Sequence, residues 1–312
     1  MKGLELSREF FEEYGKGMLE EFAQLTPYLA VGLTGSGSEC FGYDDETSQD
    51  HDFEPGFCIF LPGEEVVDRK SAFLLERAYA RLPKEFKGYR RSAMQPVGGA
   101  RHGVLRIPEF LQEKTGSPDG VLSPEEWMRL PGYSLAEATN GEIFFDNYGE
   151  LTRIRASLAF YPEDVFRKKL AGHLLLMAQS GQYNYQRCLR HGEAGAAQLA
   201  VFEFAVHTME AIFLLNRRYA PYYKWSFRAL REQERLSIQA ELLEYLITTD
   251  NQEETAEEKY NVIEGIAADL IEELMEQDLT KAVCGDLEKH AYSVNDSIAD
   301  PGIRNLHILA AV

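Results

Sequence analysis

The chain reads as an α+β domain built on a small mixed sheet with helices, followed by an all-α helical bundle. Three observations predict this. Short apolar runs punctuated by Gly, Ser and Pro occupy the first half, as in AVGLTGSGS and PGFCIFLP. Helical periodicity takes over after Tyr161-Pro162, in DVFRKKLAGHLLLMAQSGQYNYQRCL and AAQLAVFEFAVHTMEAIFLLNRR. A length of 312 residues with 45% apolar content suits two ordinary domains with real cores. The predicted division is residues 1–162 and 163–312.

Taken in order, Ser7 is a candidate cap for a first helix reaching about Leu25. Its stripe would be Phe10, Phe11, Tyr14, Met18 and Phe22. Two extended elements follow, one around Val31 and one entering Leu61. A helix is expected over 66–81, and shorter ones over 108–114 and 123–130, opened by proline or Ser-Pro. The segment EIFFDNYGELTRIRASLAFYP suggests two strands around an Asn-Tyr-Gly turn, with a helical start to its second half as the alternative. Further helices fit 235–248 and 253–277. Phe202, Val206, Met209 and Phe213 form a stripe expected in the helical core, and the acids from Glu253 to Glu258 a solvated face.

Charge narrows the partners. A net charge of −19 repels polyanions over most of the surface, which argues against broad capture of duplex nucleic acid. Arg90-Arg91 and Arg101-His102 make one region locally basic, without the interleaved aromatics of a single-strand groove. The default partner is small, cationic or a protein. Four cysteines without a C-x-x-C pair read as buried reduced thiols. With no run of about 18 apolar residues and no signal-like start, no membrane span is expected and the cytoplasm is the expected compartment.

The chemistry concentrates between Gly35 and Asp52. Gly35-Ser36-Gly37-Ser38 follows an apolar run, Gly42 comes next, and Ser48-Gln49-Asp50-His51-Asp52 leads into the second apolar run. On a strand, alternation would put Asp50 and Asp52 on one face and His51 on the other. Paired carboxylates grip hard cations such as Mg²⁺, which often bridge to phosphates. Glycines let backbone N–H groups approach a phosphate, and serine hydroxyls donate to its oxygens. These are the parts in-line phosphoryl transfer needs. The loop has no lysine for a P-loop, and Cys40 stands where a dinucleotide fingerprint needs Gly or Ala.

The order Gly37-Ser38, Gly42, Ser48, Asp50, Asp52 and an apolar strand resembles the Gly-Ser…Asp-x-Asp motif of DNA polymerase β-like nucleotidyltransferases. More closely, LAEATNGEIFFDNYGELTRIRASLAFYP and NRRYAPYYKWSFRAL resemble an uncharacterised bacterial domain-of-unknown-function family. That family has a nucleotidyltransferase-like N-terminus and a helical second half. The resemblance implies a polymerase β-like fold over Val31–Leu61 and beyond. It implies an Mg²⁺-dependent enzyme, two ions being usual, that moves a nucleoside monophosphate from a nucleoside triphosphate to an acceptor hydroxyl. Asp50 and Asp52 would hold metal, and Gly37, Ser38 and Ser48 the nucleotide. His51 departs from the aliphatic residue of many relatives and is not read as a ligand.

The resemblance also implies a third carboxylate on a neighbouring strand, for metal or for the acceptor proton. Asp146 is the favoured candidate and Glu142 the alternative. Lys224 suits a point charge against the triphosphate, while Arg153 and Arg155 could reach phosphate if their segment is extended. An acidic cleft suits a cationic, aminoglycoside-like acceptor. Two other readings stay open: a protein-modifying or antitoxin-type nucleotidyltransferase, and a catalytically idle nucleotide-binding module.

Overall fold

The computed structural model describes residues 1–47, 53–91 and 102–312. These form two compact units, Met1–Leu122 with Ser134–Ala159, and Ser123–Tyr133 with Phe160–Val312. The first is mixed α and β, the second all helix. The division falls at Ala159/Phe160 and gives 123–133 to the helical unit.

In the first unit, α1 (Gly3–Phe10) runs through a π turn (Phe11–Gly15) into α2 (Lys16–Glu20). A regular helical stripe does not bury two successive aromatics equally. The wider π turn resets the register, so Phe10 and Phe11 are both buried. Each packs against Phe57, with ring centroids 6.0 and 5.2 Å away. Ser7 is not the expected cap. It lies buried inside α1, whose cap position is Lys2.

The main sheet has the order β5-β2-β1-β6. β1 (Ala30–Leu33) lies antiparallel to β2 (Cys58–Leu61) and to β6 (Glu142–Asp146), and β2 runs parallel to β5 (Gly103–Arg106). A two-stranded ribbon, β3 (Glu85–Phe86) with β4 (Tyr89–Arg90), stands apart. Val31 pairs with Ile59 and Gly32 with Cys58, so the two expected extended elements, β1 and β2, form an antiparallel pair. All four residues of each are buried, which accounts for their continuous apolar runs.

The helix α3 (Arg69–Ala80) starts later than the periodicity suggests, because the Asp68 side chain accepts the Lys70 and Ser71 N–H groups. α4 (Ile107–Thr115) ends at left-handed Gly116. After α6 (Gly132–Thr139) and β6, Gly149 at φ 76° turns the chain into α7 (Glu150–Ser157). The predicted second strand is therefore a helix, and Arg153 and Arg155 do not share an extended face.

The helical unit opens with α5 (Pro124–Arg129), held by a capping box in which Ser123 and Glu126 accept each other's backbone N–H. α8 (Glu163–Met177) is buried over most of its length, and α10 (Ala194–Leu215) and α14 (Leu287–Asp296) pack along it. Between α8 and α10 lie a π segment (Ala178–Tyr185) and α9 (Gln186–Arg190). α11 (Tyr223–Arg231), α12 (Gln239–Thr248), α13 (Glu253–Glu276) and α15 (Pro301–Arg304) complete the unit. Two buried lysines of α8 bind the chain end. Lys168 Nζ donates to Leu306 O at 2.8 Å and Lys169 Nζ to Ala311 O at 3.0 Å. Each thereby satisfies carbonyls that no helix pairs.

Three expectations change here. Phe213 is core, but Phe202 and Val206 are 46% and 50% exposed, so the stripe is not wholly internal. α10 also has the length and hydropathy to cross a membrane, contrary to the expectation of no such segment; half of that window is buried in the unit. The four cysteines are free thiols, but only Cys40 and Cys58 are buried. The acids of 253–258 are exposed, as expected.

Candidate functional site

The Gly-Ser loop leaves the end of β1 and is clamped from the turn that enters β6. Gly35 sits at φ 130°, a conformation open to glycine and strained for other residues. The Asn140 side chain holds it. Its Oδ1 accepts from Gly35 N–H at 2.9 Å and from the Thr34 hydroxyl at 3.0 Å, while its Nδ2 donates to Gly35 O at 2.8 Å. Next to it, Gly141 N–H donates to Cys40 O at 2.9 Å. A Cβ on Gly141 would lie 2.0 Å from Leu33 O, so the close approach of β6 to the loop demands glycine.

Arg155 of α7 braces the same turn by donating to Thr139 O at 2.7 Å and to Asn140 O. Burial pulls its guanidinium down to about 10. Its role is to hold this turn, not to meet phosphate.

Ser38–Phe41 form a single 3-10 turn that ends at left-handed Gly42. The loop and α4 enclose a cavity of about 160 Å³ lined by Thr34–Gly37, Glu39, Cys40, Leu105, Glu109, Phe110, Glu113 and Lys114. Among the described residues Lys114 is the one cation of this lining, its side chain 11% exposed, with Glu113 and Glu137 each 2.9 Å away. Burial lowers its affinity for the proton, and the two carboxylates more than offset this, so the net shift is upward. The Cys58 thiol, at the start of β2, is pushed up to about 12 by burial, which leaves it a neutral packing group.

Glu39 is 7% exposed and its side chain is wedged between two glycines. A Cβ on Gly3 would stand 2.5 Å from Glu39 Cβ, and one on Gly37 would stand 2.0 Å from Glu39 Oε1. Gly37 thus has ordinary extended backbone, and a side chain there would require the Glu39 carboxylate to move.

The sequence-predicted residues divide as follows. Gly37 lines the cavity, and Ser38 begins the adjoining turn. Ser48, Asp50 and Asp52 lie outside the described residues, as does Arg101. Asp146 is a correction. It pairs with Ala30, at the start of β1, whereas the Gly-Ser loop follows the other end. Both its carboxylate oxygens are engaged by backbone, with Gly149 N–H at 2.7 Å and Thr152 N–H at 2.8 Å. It therefore caps the first turn of α7.

Glu142 does lie at the loop end, opposite Leu33, but is ion-paired with Arg8. Lys224, in the first turn of α11 of the helical unit, is exposed and lies 5.1 Å from the Trp225 ring centroid. Asn140, Glu39 and Lys114 were missed. Asn140-Gly141 carried a turn signal, Glu39 sat within the motif, and Lys114 had no distinguishing signal. Among the described residues, no three of His, Cys, Asp and Glu group so as to hold a metal ion.

The family model described as Domain of unknown function (DUF4037) matches residues 127–226. This span includes the Asn140-Gly141 clamp, Arg155 and Lys224, and it begins after the Gly-Ser loop. Among solved structures, the chain is similar to the crystal structure of a nucleotidyltransferase-like protein from Exiguobacterium sibiricum. The identity is 12% and the TM-score 0.39, covering 93% of this chain and 81% of that one. Comparison with curated proteins gives no match.

Proposed function

We propose that the protein is a nucleotidyltransferase that moves a nucleoside monophosphate from a nucleoside triphosphate to an acceptor hydroxyl. One observation carries this reading. The Gly-Ser loop of the Gly-Ser…Asp-x-Asp pattern is a rigidly clamped turn beside a small polar cavity, at the sheet end where β2 begins. Backbone clamped in advance loses little freedom when a phosphate binds, which favours a binding loop over a plain turn.

Asp50 and Asp52 would hold Mg²⁺, since carboxylate oxygens suit a hard cation. A further carboxylate, that of Glu39, lies in the same loop. When bound, the cation neutralises charge on the phosphates and the departing pyrophosphate. The acceptor oxygen attacks the α-phosphorus, the bond from that phosphorus to the bridging oxygen breaks, and the hydroxyl proton leaves to solvent or a base. Lys114 is a cation of the cavity lining, and Lys224 is proposed to meet the outer phosphates. An acidic chain favours a cationic acceptor, for which an aminoglycoside-like compound is one chemistry.

Calorimetry with each nucleoside triphosphate tests the reading. Binding should require Mg²⁺ and weaken strongly with chelator. Equal binding in both conditions sinks the metal-dependent reading. Binding without any transfer product favours a nucleotide-binding module instead.

A further inference from the structure

We infer that Tyr133, Tyr222 and Tyr223, with Lys224, form a seat for a planar base carrying phosphate, the chemistry that a free nucleotide shares with a single nucleic-acid strand. This seat goes beyond the function proposed above, sharing only Lys224 with it and using nothing of the Gly-Ser loop. The three rings belong to the helical unit, where Gly132 brings Tyr133 beside the 219–223 segment. A Cβ on Gly132 would stand 3.5 Å from Ala220 N and O. The segment is anchored by its first three residues. Tyr219 packs edge-on against Tyr161, with ring centroids 4.9 Å apart, and Ala220 and Pro221 are buried. Tyr222 and Tyr223 then project outward, 44% and 75% exposed, beside Tyr133 at 39%.

Single exposed aromatics are ordinary on a protein surface; three touching in a row are not. The Tyr133 and Tyr222 rings stand 5.7 Å apart at 81°, and those of Tyr222 and Tyr223 4.5 Å apart at 50°. Rings set at such angles form a corner. A flat ligand can stack on one face while its edge meets another ring, the two arrangements aromatic pairs favour. Because the anchored backbone fixes the corner beforehand, little freedom is lost on binding.

Charge selects the ligand. Residues 211–231 carry Arg217, Arg218, Lys224, Arg228 and Arg231 and no Asp or Glu, in a chain of 51 acids and 32 bases. Arg217 and Arg231 are committed to Glu163 and Glu244. Lys224 is exposed, directly follows the two outward tyrosines, and lies 5.1 Å from the Trp225 ring centroid. A cationic ligand would find no carboxylate in this segment and would meet the Lys224 ammonium. A base with phosphate uses rings and cation together, which is how nucleotides of a single strand are held without sequence preference. A net charge of −19 repels long polyanions, which favours a nucleotide or a strand end over an extended tract.

Calorimetry on the full chain with chelator present tests the seat, using adenosine 5′-monophosphate, adenosine and a single-stranded hexa-adenylate as probes. Tyr223 is the most exposed of the three tyrosines, so its variants report binding and not folding. Tyr223→Ala should weaken the monophosphate at least about fivefold, and Tyr223→Phe should bind as the wild type does, because stacking needs the ring and not the hydroxyl. Lys224→Ala should weaken the monophosphate and leave adenosine unchanged. Hexa-adenylate binding that is tighter than the monophosphate and falls with salt identifies a strand as the ligand; equal affinity identifies the nucleotide.

Wild-type affinity in Tyr223→Ala, or an equal loss in Tyr223→Phe, overturns the seat. Binding of no probe also overturns it and leaves the tyrosines to a protein partner. Monophosphate binding without Mg²⁺-dependent triphosphate binding keeps the seat and rejects the proposed function. The reverse pattern rejects the seat alone.

Discussion

Asn140→Ala is the perturbation that reaches the loop without touching a proposed ligand. It deletes three hydrogen bonds, to Gly35 N–H, Gly35 O and the Thr34 hydroxyl, at 2.9, 2.8 and 3.0 Å. At roughly 1 kcal/mol net for each, the loss is on the order of 3 kcal/mol. Gly35 is buried, so water does not freely replace those partners and the figure is not expected to shrink much. Part of the cost falls on loop order. If about 1.4 kcal/mol of it must be restored on binding, triphosphate affinity falls about tenfold. Asn140→Asp keeps both accepting contacts but turns an oxygen against Gly35 O, so it should lie between the wild type and Ala in stability. Urea unfolding gives the first quantity and calorimetry with Mg²⁺ and nucleotide the second. A stability change below about 0.5 kcal/mol with unchanged affinity would refute the clamp.

Gly141→Ala should cost about 2 kcal/mol or more, from φ 65° and the collision with Leu33 O; thermal unfolding at wild-type stability would contradict that packing. Asp146→Asn should cost about 1 kcal/mol through the α7 cap and leave Mg²⁺-dependent nucleotide binding intact. A gain in stability with lost transfer would restore Asp146 as a catalytic carboxylate. In the helical unit, His173 Nδ1 and His207 Nδ1 lie 2.9 Å apart. Burial, then His207 and Lys169, hold His173 well below the ordinary imidazole value of 6.5; burial likewise lowers His207, against Glu203. A folded-state value below the unfolded one means the unfolded chain takes protons first. This contribution is therefore full above about pH 6.5 and is lost as pH falls below it. Each histidine adds up to about 1.4 kcal/mol per pH unit. Denaturation series from pH 7 to 5 should show a shallower fall for His173→Gln, and identical slopes would refute the buried pair.

Most of the fold could be read from pattern because the pattern was set by burial. β1 and β2 are apolar at every position since both their faces are covered, and α13 alternates acids with core residues as a half-exposed helix does. Where local chemistry outweighed periodicity, the reading failed. Ser7 resembles a cap in sequence but lies within a helix that begins at Gly3, and Asp146 resembles a strand-end ligand but finds the N–H groups of α7. Both errors concern which backbone groups a side chain meets, which depends on the turn that follows. The Gly-Ser loop was legible because glycines and serines there serve a local geometry. Asn140 was not, because its 105-residue separation from Gly35 is bridged only when β6 pairs with β1. Phe202 and Val206 show the converse limit: helical spacing marks an apolar face, while their exposure depends on what packs there.

The central claim is that the chain transfers a nucleotidyl group, and the position of a label decides it. Wild-type protein with Mg²⁺ and a candidate acceptor should be offered the same nucleoside triphosphate labelled at the α- or the γ-phosphate. Label should reach the acceptor from the α position alone, with the γ label recovered in pyrophosphate, and Asp50→Asn/Asp52→Asn should abolish the transfer. Transfer of the γ label to the acceptor, or α transfer undiminished in that double variant, would contradict the account.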